Sequence, residues 1–321
     1  MNLRVNRRCR GVVWWRQFTT EGRILPVRLV HITDIQLGMS DVDWDVRVAY
    51  VTELVARVCG LGPELVIDTG DCVEGGTLDR DPEDVARWWQ TYIEATAPLQ
   101  EQCEVLAVPG NHDQDATDRS YSSFAAATGM PVDPFHQRRQ IGRLDLYLLD
   151  LTMRVGDYDP VTGAGMSHHG AFAPRSEVHR WMSSAGKSAR PGAAMVVGAH
   201  HPMFRSRHEL CAADSSLLYN PISGNPGELF PMLDGLGTDL YLCGHTHSYE
   251  RASRGQLTHV NTGANTGRLR GASDFAVVRD RDACITVLEL ADDSAEIVGR
   301  AIRLTGEVAD EWAQPLRSGA G

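Results

Sequence analysis

The feature that most constrains the chain is a repeated unit: an apolar run of strand length that ends at once in a polar cluster. Residues 27–33 run into Asp34-Ile-Gln36, 64–69 into Gly70-Asp71, and 103–108 into Pro109-Gly-Asn-His112. Residues 193–197 run into Gly198-Ala-His-His-Pro202, and 239–243 into Gly244-His-Thr-His247. Amphipathic stretches separate the first three units. Over 43–59, Val46, Tyr50, Leu54, Val55 and Val58 share one helical face, and Gly60-Leu-Gly-Pro63 stops the pattern. Asp81-Pro82 opens a second helix, with proline where its missing N–H costs nothing, reaching to about Ala97. Strand, polar loop and helix in alternation predict a mainly parallel sheet covered by helices. Ligands in such sheets gather at the carboxyl ends of the strands, where all five polar clusters fall.

Further along, 144–149 reads as a strand, 153–172 as a long Gly-rich loop, 174–185 as a helix and 203–226 as an irregular insertion. The β-rich runs at 257–261, 274–279, 284–290 and 295–304 are expected to form a second, more antiparallel sheet packed on the first. No linker divides the chain. The expected organisation is one domain over 27–307, with an N-terminal extension, 1–26, and a C-terminal tail, 308–321.

The charge balance bounds the partners. With 31 basic against 42 acidic residues in 321, the net charge is −11. That argues against a non-specific nucleic-acid or anionic-membrane binder, which needs a positive footprint. It leaves open a phosphate-handling site, because a metal can supply local positive charge. The seven cysteines are scattered without a CxxC pair, which disfavours a disulfide framework or a cysteine-ligated zinc. No apolar run approaches the roughly 18 residues of a membrane span, and residues 1–28 lack the apolar core of a secretory leader. The expectation is a cytoplasmic protein with a small-molecule partner, its oligomeric state undetermined.

Taken together and in this order, the five clusters resemble the calcineurin-like metallophosphoesterase superfamily, whose pattern is D-x-H, G-D-x-x-D, G-N-H-D/E, an H-H-P-like segment and G-H-x-H. The resemblance runs from about Asp34 to Gly263. It implies a four-layer α/β/β/α sandwich of two mixed sheets with a dinuclear metal centre. By motif, Asp34 and His247 would ligate the first metal, and Asn111, His200 and His245 the second, with Asp71 bridging both. Carboxylate, amide oxygen and imidazole suit manganese, zinc or iron better than a soft metal. The implied reaction is in-line attack on phosphorus by a hydroxide held between the two cations. His112 would donate a proton to the leaving oxygen.

The chain departs from the pattern at Gln36, where the family usually has histidine. As a ligand, Gln36 offers a neutral oxygen, which favours Mn²⁺ or Mg²⁺ over Zn²⁺ or Fe at the first position; alternatively it binds nothing and that position is labile. The D-x-Q form is similar to manganese-dependent ADP-ribose/CDP-alcohol diphosphatases and to a class of phosphoprotein phosphatase-like monoesterases. Glu74 stands where the family has Asp and would pair with His112, or else is a solvated loop residue. His201 and His169 are candidates for substrate contact or for the surroundings of the ligands. The expected activity is hydrolysis of a small phosphorylated molecule, a phosphomonoester or nucleotide-type diphosphate. The alternatives are a phosphodiesterase, of cyclic-nucleotide or glycerophosphodiester type, and a degenerate member serving as a binding scaffold.

Overall fold

Three strands at the centre of the chain, Leu144–Leu148, Ala194–Gly198 and Leu240–Cys243, are buried at every position. A strand with no exposed side chain must be covered on both faces. The computed structural model describes residues 4–9, 12–16, 27–39, 43–75, 80–115, 120–131, 135–152, 170–172, 176–204, 206–208, 218–219, 222–223, 226–263, 270–273, 276–280 and 282–317. It covers these strands with a second sheet on one side and helices on the other.

One sheet has six strands in the order Val308–Pro315, Glu296–Arg303, Ala283–Leu290, Val27–Ile32, Leu65–Asp68, Glu104–Ala107. The last three are parallel and the others antiparallel. A second large sheet has seven, in the order Ala276–Asp280, Tyr249–Arg254, Leu257–Asn261, Leu240–Cys243, Ala194–Gly198, Leu144–Leu148, Gln137–Ile141. Its four inner strands from Leu257–Asn261 to Leu144–Leu148 are parallel. Three separate cores follow. Leu29, Leu65, Ile67, Leu146, Val196 and Leu242 fill the space between the sheets. Val30, Ile32, Val51, Leu54 and Trp89 pack the six-stranded sheet against Trp44–Gly60 and Pro82–Gln102. Tyr147, Val197, Met182, Leu229 and Leu233 pack the seven-stranded sheet against Glu177–Gly186 and Pro226–Gly235. Three cores require four layers, the α/β/β/α order expected.

The helices begin where capping chemistry places them. Asp43 and Asp81 accept from the backbone N–H of Asp45 and Glu83, and Ser176 from that of His179. The second helix runs on to Gln102, beyond the expected end near Ala97, with Pro98 inside it. Proline removes one helical hydrogen bond, but buried Leu99 anchors the last turn in the core.

The expected second sheet is corrected. The parallel strands do not form one sheet with the tail stacked on it; they divide three and three between the two sheets. The tail divides as well. Leu257–Asn261 and Ala276–Asp280 extend the seven-stranded sheet, while Ala283–Leu290 and Glu296–Arg303 join Val27–Ile32 in the other. Period-2 patterning identifies a strand but not its partner. Partner choice is decided by the open edge of Val27–Ile32, on which Thr286 lies opposite His31. Gln137–Ile141 escapes notice because, as an edge strand, it reads Gln-Arg-Arg-Gln-Ile. The loop at 153–169 and most of the insertion at 203–226 lie outside the described residues. Among the described residues no helix is long and apolar enough to cross a membrane.

Residues 308–315, set apart in the sequence as the start of a tail, form the edge strand paired to Glu296–Arg303. Trp312 is only 8% exposed and sits in the core between the sheets, against Gly299, where a Cβ would collide with its ring. Trp312→Ala is expected to lower unfolding free energy by about 3–5 kcal/mol in urea titration. A change within about 0.5 kcal/mol, typical of exposed sites, would show that this strand contributes no core.

Candidate metal centre

Among the described residues, every non-glycine residue with a left-handed backbone is one of five: Asp34, Gln36, Asp71, His245 and His247, with φ of 52°, 42°, 57°, 73° and 56°. Each costs roughly 1 kcal/mol or more, because Cβ crowds the backbone there. The chain accepts that cost only where surrounding structure over-determines the turn. All five follow strands whose carboxyl ends meet on one side of the sandwich.

The restraints are specific. Asp34 N donates to Gly70 O, Gln36 N to Asp71 O and Leu37 N to Cys72 O, so the first two loops run side by side. Asp113 ties the second loop to the third. Its two carboxylate oxygens accept from the backbone N–H groups of Asp71 (2.8 Å), Cys72 (2.7 Å), Val73 (3.3 Å) and Gly110 (2.8 Å). His245 N donates to Asp34 Oδ2 at 2.8 Å, joining the seven-stranded sheet to the six-stranded one. Two glycines allow these approaches. A Cβ on Gly110 would strike Asp71 Oδ1, and one on Gly244 would strike Thr33 Oγ1 and Asp34 Oδ2.

The side chains so held form two adjoining groups around Asp71. In one, His247 Nε2 lies 3.5 Å from Asp34 Oδ1, and Gln36 Nε2 lies 3.4 Å from Asp71 Oδ2. Gln36 is fully buried and its Oε1 makes no hydrogen bond among the described residues. In the other, His200 donates from Nδ1 to Thr69 O at 2.8 Å, which turns Nε2 inward. That nitrogen lies 3.0 Å from Asp71 Oδ2, 3.1 Å from Asn111 Oδ1 and 3.2 Å from His245 Nδ1. Asp71, His200 and His245 bring one ligand atom each within 4.8 Å of one another.

The electrostatics match this crowding. Burial pulls His200 down, but Asp71 and Asp34 outweigh it and push it up to about 9. Burial pushes Asp34 upward, with His200 pulling against it. For Asp71, burial is outweighed by His200 and His112, and the carboxyl lies below the usual range. The negative field that holds a proton on a buried imidazole is the field a divalent cation would meet. Carboxylate, amide oxygen and imidazole with no thiolate among them suit a hard or borderline divalent cation, and the buried Gln36 oxygen without a donor is what such a cation would satisfy. The residues therefore fit a metal centre.

His112 stands beside the two groups. Its backbone N donates to Asp71 Oδ1 at 2.7 Å, its Nε2 lies 3.8 Å from Asp71 Oδ2, and its Nδ1 lies 3.1 Å from Glu74 Oε2. Of the two readings of Glu74, the paired one holds. Burial would push Glu74 up; the facing His112 outweighs it and holds the carboxyl below its ordinary range. Arg80 approaches Glu74 from the other side at 3.6 Å. His201 is fully buried, its ring 4.7 Å from that of His245 and 5.0 Å from that of His200. It packs against His200 and His245 and has no solvent-facing surface. His169 lies outside the described residues.

Sequence reasoning brought Asp34, Gln36, Asp71, Asn111, His112, His200, His245 and His247 together, and the structure does the same. It missed Asp113, Asp68 and Asn261. Asp113 was in view as the last letter of Gly110-Asn-His-Asp113, but nothing in one sequence says that its partners are backbone amides of another loop. Asp68 accepts from Gly70 N and from Tyr92 OH, each at 2.9 Å. Asn261 donates from Nδ2 to Gly244 O at 2.7 Å. A carboxylate at the end of an otherwise apolar strand is the one signal that marks Asp68.

The chain matches the calcineurin-like phosphoesterase family over residues 27–249. Among solved structures it is similar to a purple acid phosphatase, PPD1, of yellow lupin (Lupinus luteus), at 13% identity and a TM-score of 0.64, covering 94% of this chain and 57% of that one. It is similar to a dimetal phosphatase of Danio rerio at 15% identity and 0.64, covering 91% and 100%. It is also similar to GAP50, the anchor in the inner membrane complex of Plasmodium, at 16% and 0.60, covering 92% and 90%. At these identities the likeness is one of fold, and the chain spans little more than half the length of the lupin protein. No curated protein matches. The strained loops lie inside the matched span, on the fold these structures share, and the chain belongs to the calcineurin-like phosphoesterase family, whose members are metal-dependent phosphoric ester hydrolases.

Proposed function

We propose that the protein hydrolyses a small phosphorylated molecule, a phosphomonoester or a nucleotide-type diphosphate, with two divalent cations, Mn²⁺ foremost. Asp34, Gln36 and His247 would hold one cation and Asn111, His200 and His245 the other, with Asp71 between them. The observation that carries this reading is the environment of Asp71 Oδ2. Gln36 approaches it from one group at 3.4 Å and His200 from the other at 3.0 Å, so one carboxylate oxygen faces both. The Gln36 amide carries its oxygen and nitrogen on one rotatable end, so a half-turn exchanges which of them faces Asp71. When bound, the cations would polarise the phosphoryl oxygens and lower the pKa of water.

The chain's own residues account for the rest. The Glu74 carboxylate lies 3.1 Å from His112 Nδ1, an ion-pair contact that would hold the ring with Nε2 toward the centre. For that nitrogen to donate, the ring must carry both protons, a form that the facing carboxylates stabilise. His112 then holds a proton at Nε2 for the leaving oxygen. Asp71 Oδ1 accepts from the His112 amide, and Oδ2 is the oxygen that would face the cations. The acidic chain favours a small substrate over nucleic acid. The D-x-Q likeness favours a monoester or diphosphate over a cyclic nucleotide.

The test is turnover by metal-depleted protein reloaded with Mn²⁺, on p-nitrophenyl phosphate, bis-p-nitrophenyl phosphate and ADP-ribose. Turnover on the first or third is expected; preference for the second assigns a diesterase instead, and no turnover on any phosphoester sinks the reading. Within an active preparation, His112→Ala is expected to lower kcat about 10²–10⁴-fold with metal content retained. Glu74→Gln, which keeps a hydrogen-bonding arm and removes the charge, is expected to give a smaller loss. Unchanged kcat in His112→Ala would remove His112 as the proton donor.

A further inference from the structure

Directly beneath the ligand loops lies a line of buried hydrogen bonds that crosses from one sheet to the other. Thr286 and Thr262 meet Oγ1 to Oγ1 at 2.6 Å. Thr262 Oγ1 reaches His31 Nδ1 at 2.8 Å, and His31 Nε2 reaches Thr69 Oγ1 at 2.9 Å. The backbone carbonyl of the same Thr69 accepts from His200 Nδ1 at 2.8 Å. All five side chains are fully buried. Thr286, His31 and Thr69 belong to the six-stranded side; Thr262 and His200 belong to the seven-stranded side.

The line touches the segments that carry the centre. His31 lies on the strand Val27–Ile32 that leads into Asp34. Thr69 is the last residue before Gly70-Asp71, and its N–H is held by Ile32 O. Thr262 N donates to Cys243 O, two residues before His245. Both ring nitrogens of His31 are therefore engaged, one by the loop that orients His200 and one by the segment beside the His245 loop. Burial pushes His31 down to about 3, so the ring is neutral. A neutral imidazole has one donor and one acceptor, and each threonine hydroxyl supplies whichever is missing. An apolar residue at position 31 would take the ring partner from the Thr69 hydroxyl and leave the Thr262 hydroxyl with Thr286 alone, in a dry interior.

We propose that His31 is a positioning residue that, through Thr69 and Thr262, holds the His200 ring and the His245 loop in register and so sets the affinity of the cation position they share. This rests on the metal reading given above. Partners that orient a ligating histidine are worth roughly 10–100-fold in metal affinity, and here the orienting carbonyl is itself held by the His31 line.

The test uses the full chain with Mn²⁺ as the probe, in wild type, His31→Leu, Thr69→Val, Thr69→Ser and Thr262→Val. Calorimetric titration and electron paramagnetic resonance count the sites and give their affinities. Nitrogen-15 spectra of the histidines in metal-free protein report the hydrogen bond from His200 Nδ1–H to Thr69 O. Thr69→Val and His31→Leu are expected to weaken one of two sites by roughly 10–100-fold, leave the other within about threefold, and disturb the His200 signal; Thr69→Ser restores all three readings. If His31→Leu does not fold, Thr69→Val and Thr262→Val decide alone. Folded valine variants that bind both ions as wild type does, with a lowered unfolding midpoint only, overturn the positioning role and leave the metal reading intact. Wild type that takes up no Mn²⁺ overturns both.

Discussion

The centre depends on backbone strain held in place by backbone hydrogen bonds. Among the described residues five non-glycine residues sit in the left-handed region, Asp71 itself and four others gathered about it, Asp34, Gln36, His245 and His247. Strain of roughly 1 kcal/mol or more apiece has to be offset locally. The Asp113 carboxylate does much of this: four amide donors from two loops end on its two oxygens. A hydrogen bond contributes about 0.5–1.5 kcal/mol net, so the four together are on a scale comparable to the strain. Asp113 thus works as a structural clamp, although it stands next to the most reactive-looking residue in the motif.

The two-sheet architecture explains why these loops meet at all. Three parallel strands in one sheet and four in the other deliver their carboxyl ends to the same edge of the sandwich. The apolar layer between them, built from residues such as Ile67, Leu146, Val196 and Leu242, keeps the sheets in register. Polar pairs cross that layer at the rim beneath the loops, through His31, Thr69 and Thr262, and at the far edge, where Tyr249 and Arg251 reach Asp310 and Thr258 reaches Gln314. Asp34 and Asp71 come from one sheet, and His200, His245 and His247 from the other. A shift of either sheet would separate the His245 amide from Asp34 Oδ2, now at 2.8 Å.

Much of the site was legible because its chemistry is local: Asp, Asn and His directly after apolar strands, in a fixed order. The first helix was legible from its apolar face over 43–59 and the second from Pro82 at its start; the caps at Asp43 and Asp81 are seen in the structure. Strand partners were not. Ala283–Leu290 carries the same pattern whether it pairs with Val27–Ile32 or starts a new sheet, and long-range pairing is decided by which edge is open. The supporting residues were hidden for a related reason. Asp113, Asn261 and His31 act on amides, carbonyls and hydroxyls far away in sequence, and their own neighbours give no sign of it. The backbone strain was equally hidden, since Asp, Gln and His carry no mark of a positive φ.

The account's central claim is that Asp71 stands between two cation positions. The most direct measurement is an anomalous-scattering map from crystals of the protein equilibrated with Mn²⁺. The account predicts two peaks about 3.5–4 Å apart, one beside Asp34, Gln36 and His247 and the other beside Asn111, His200 and His245, with Asp71 Oδ2 between them. A single peak, or two peaks that do not share Asp71, would contradict it.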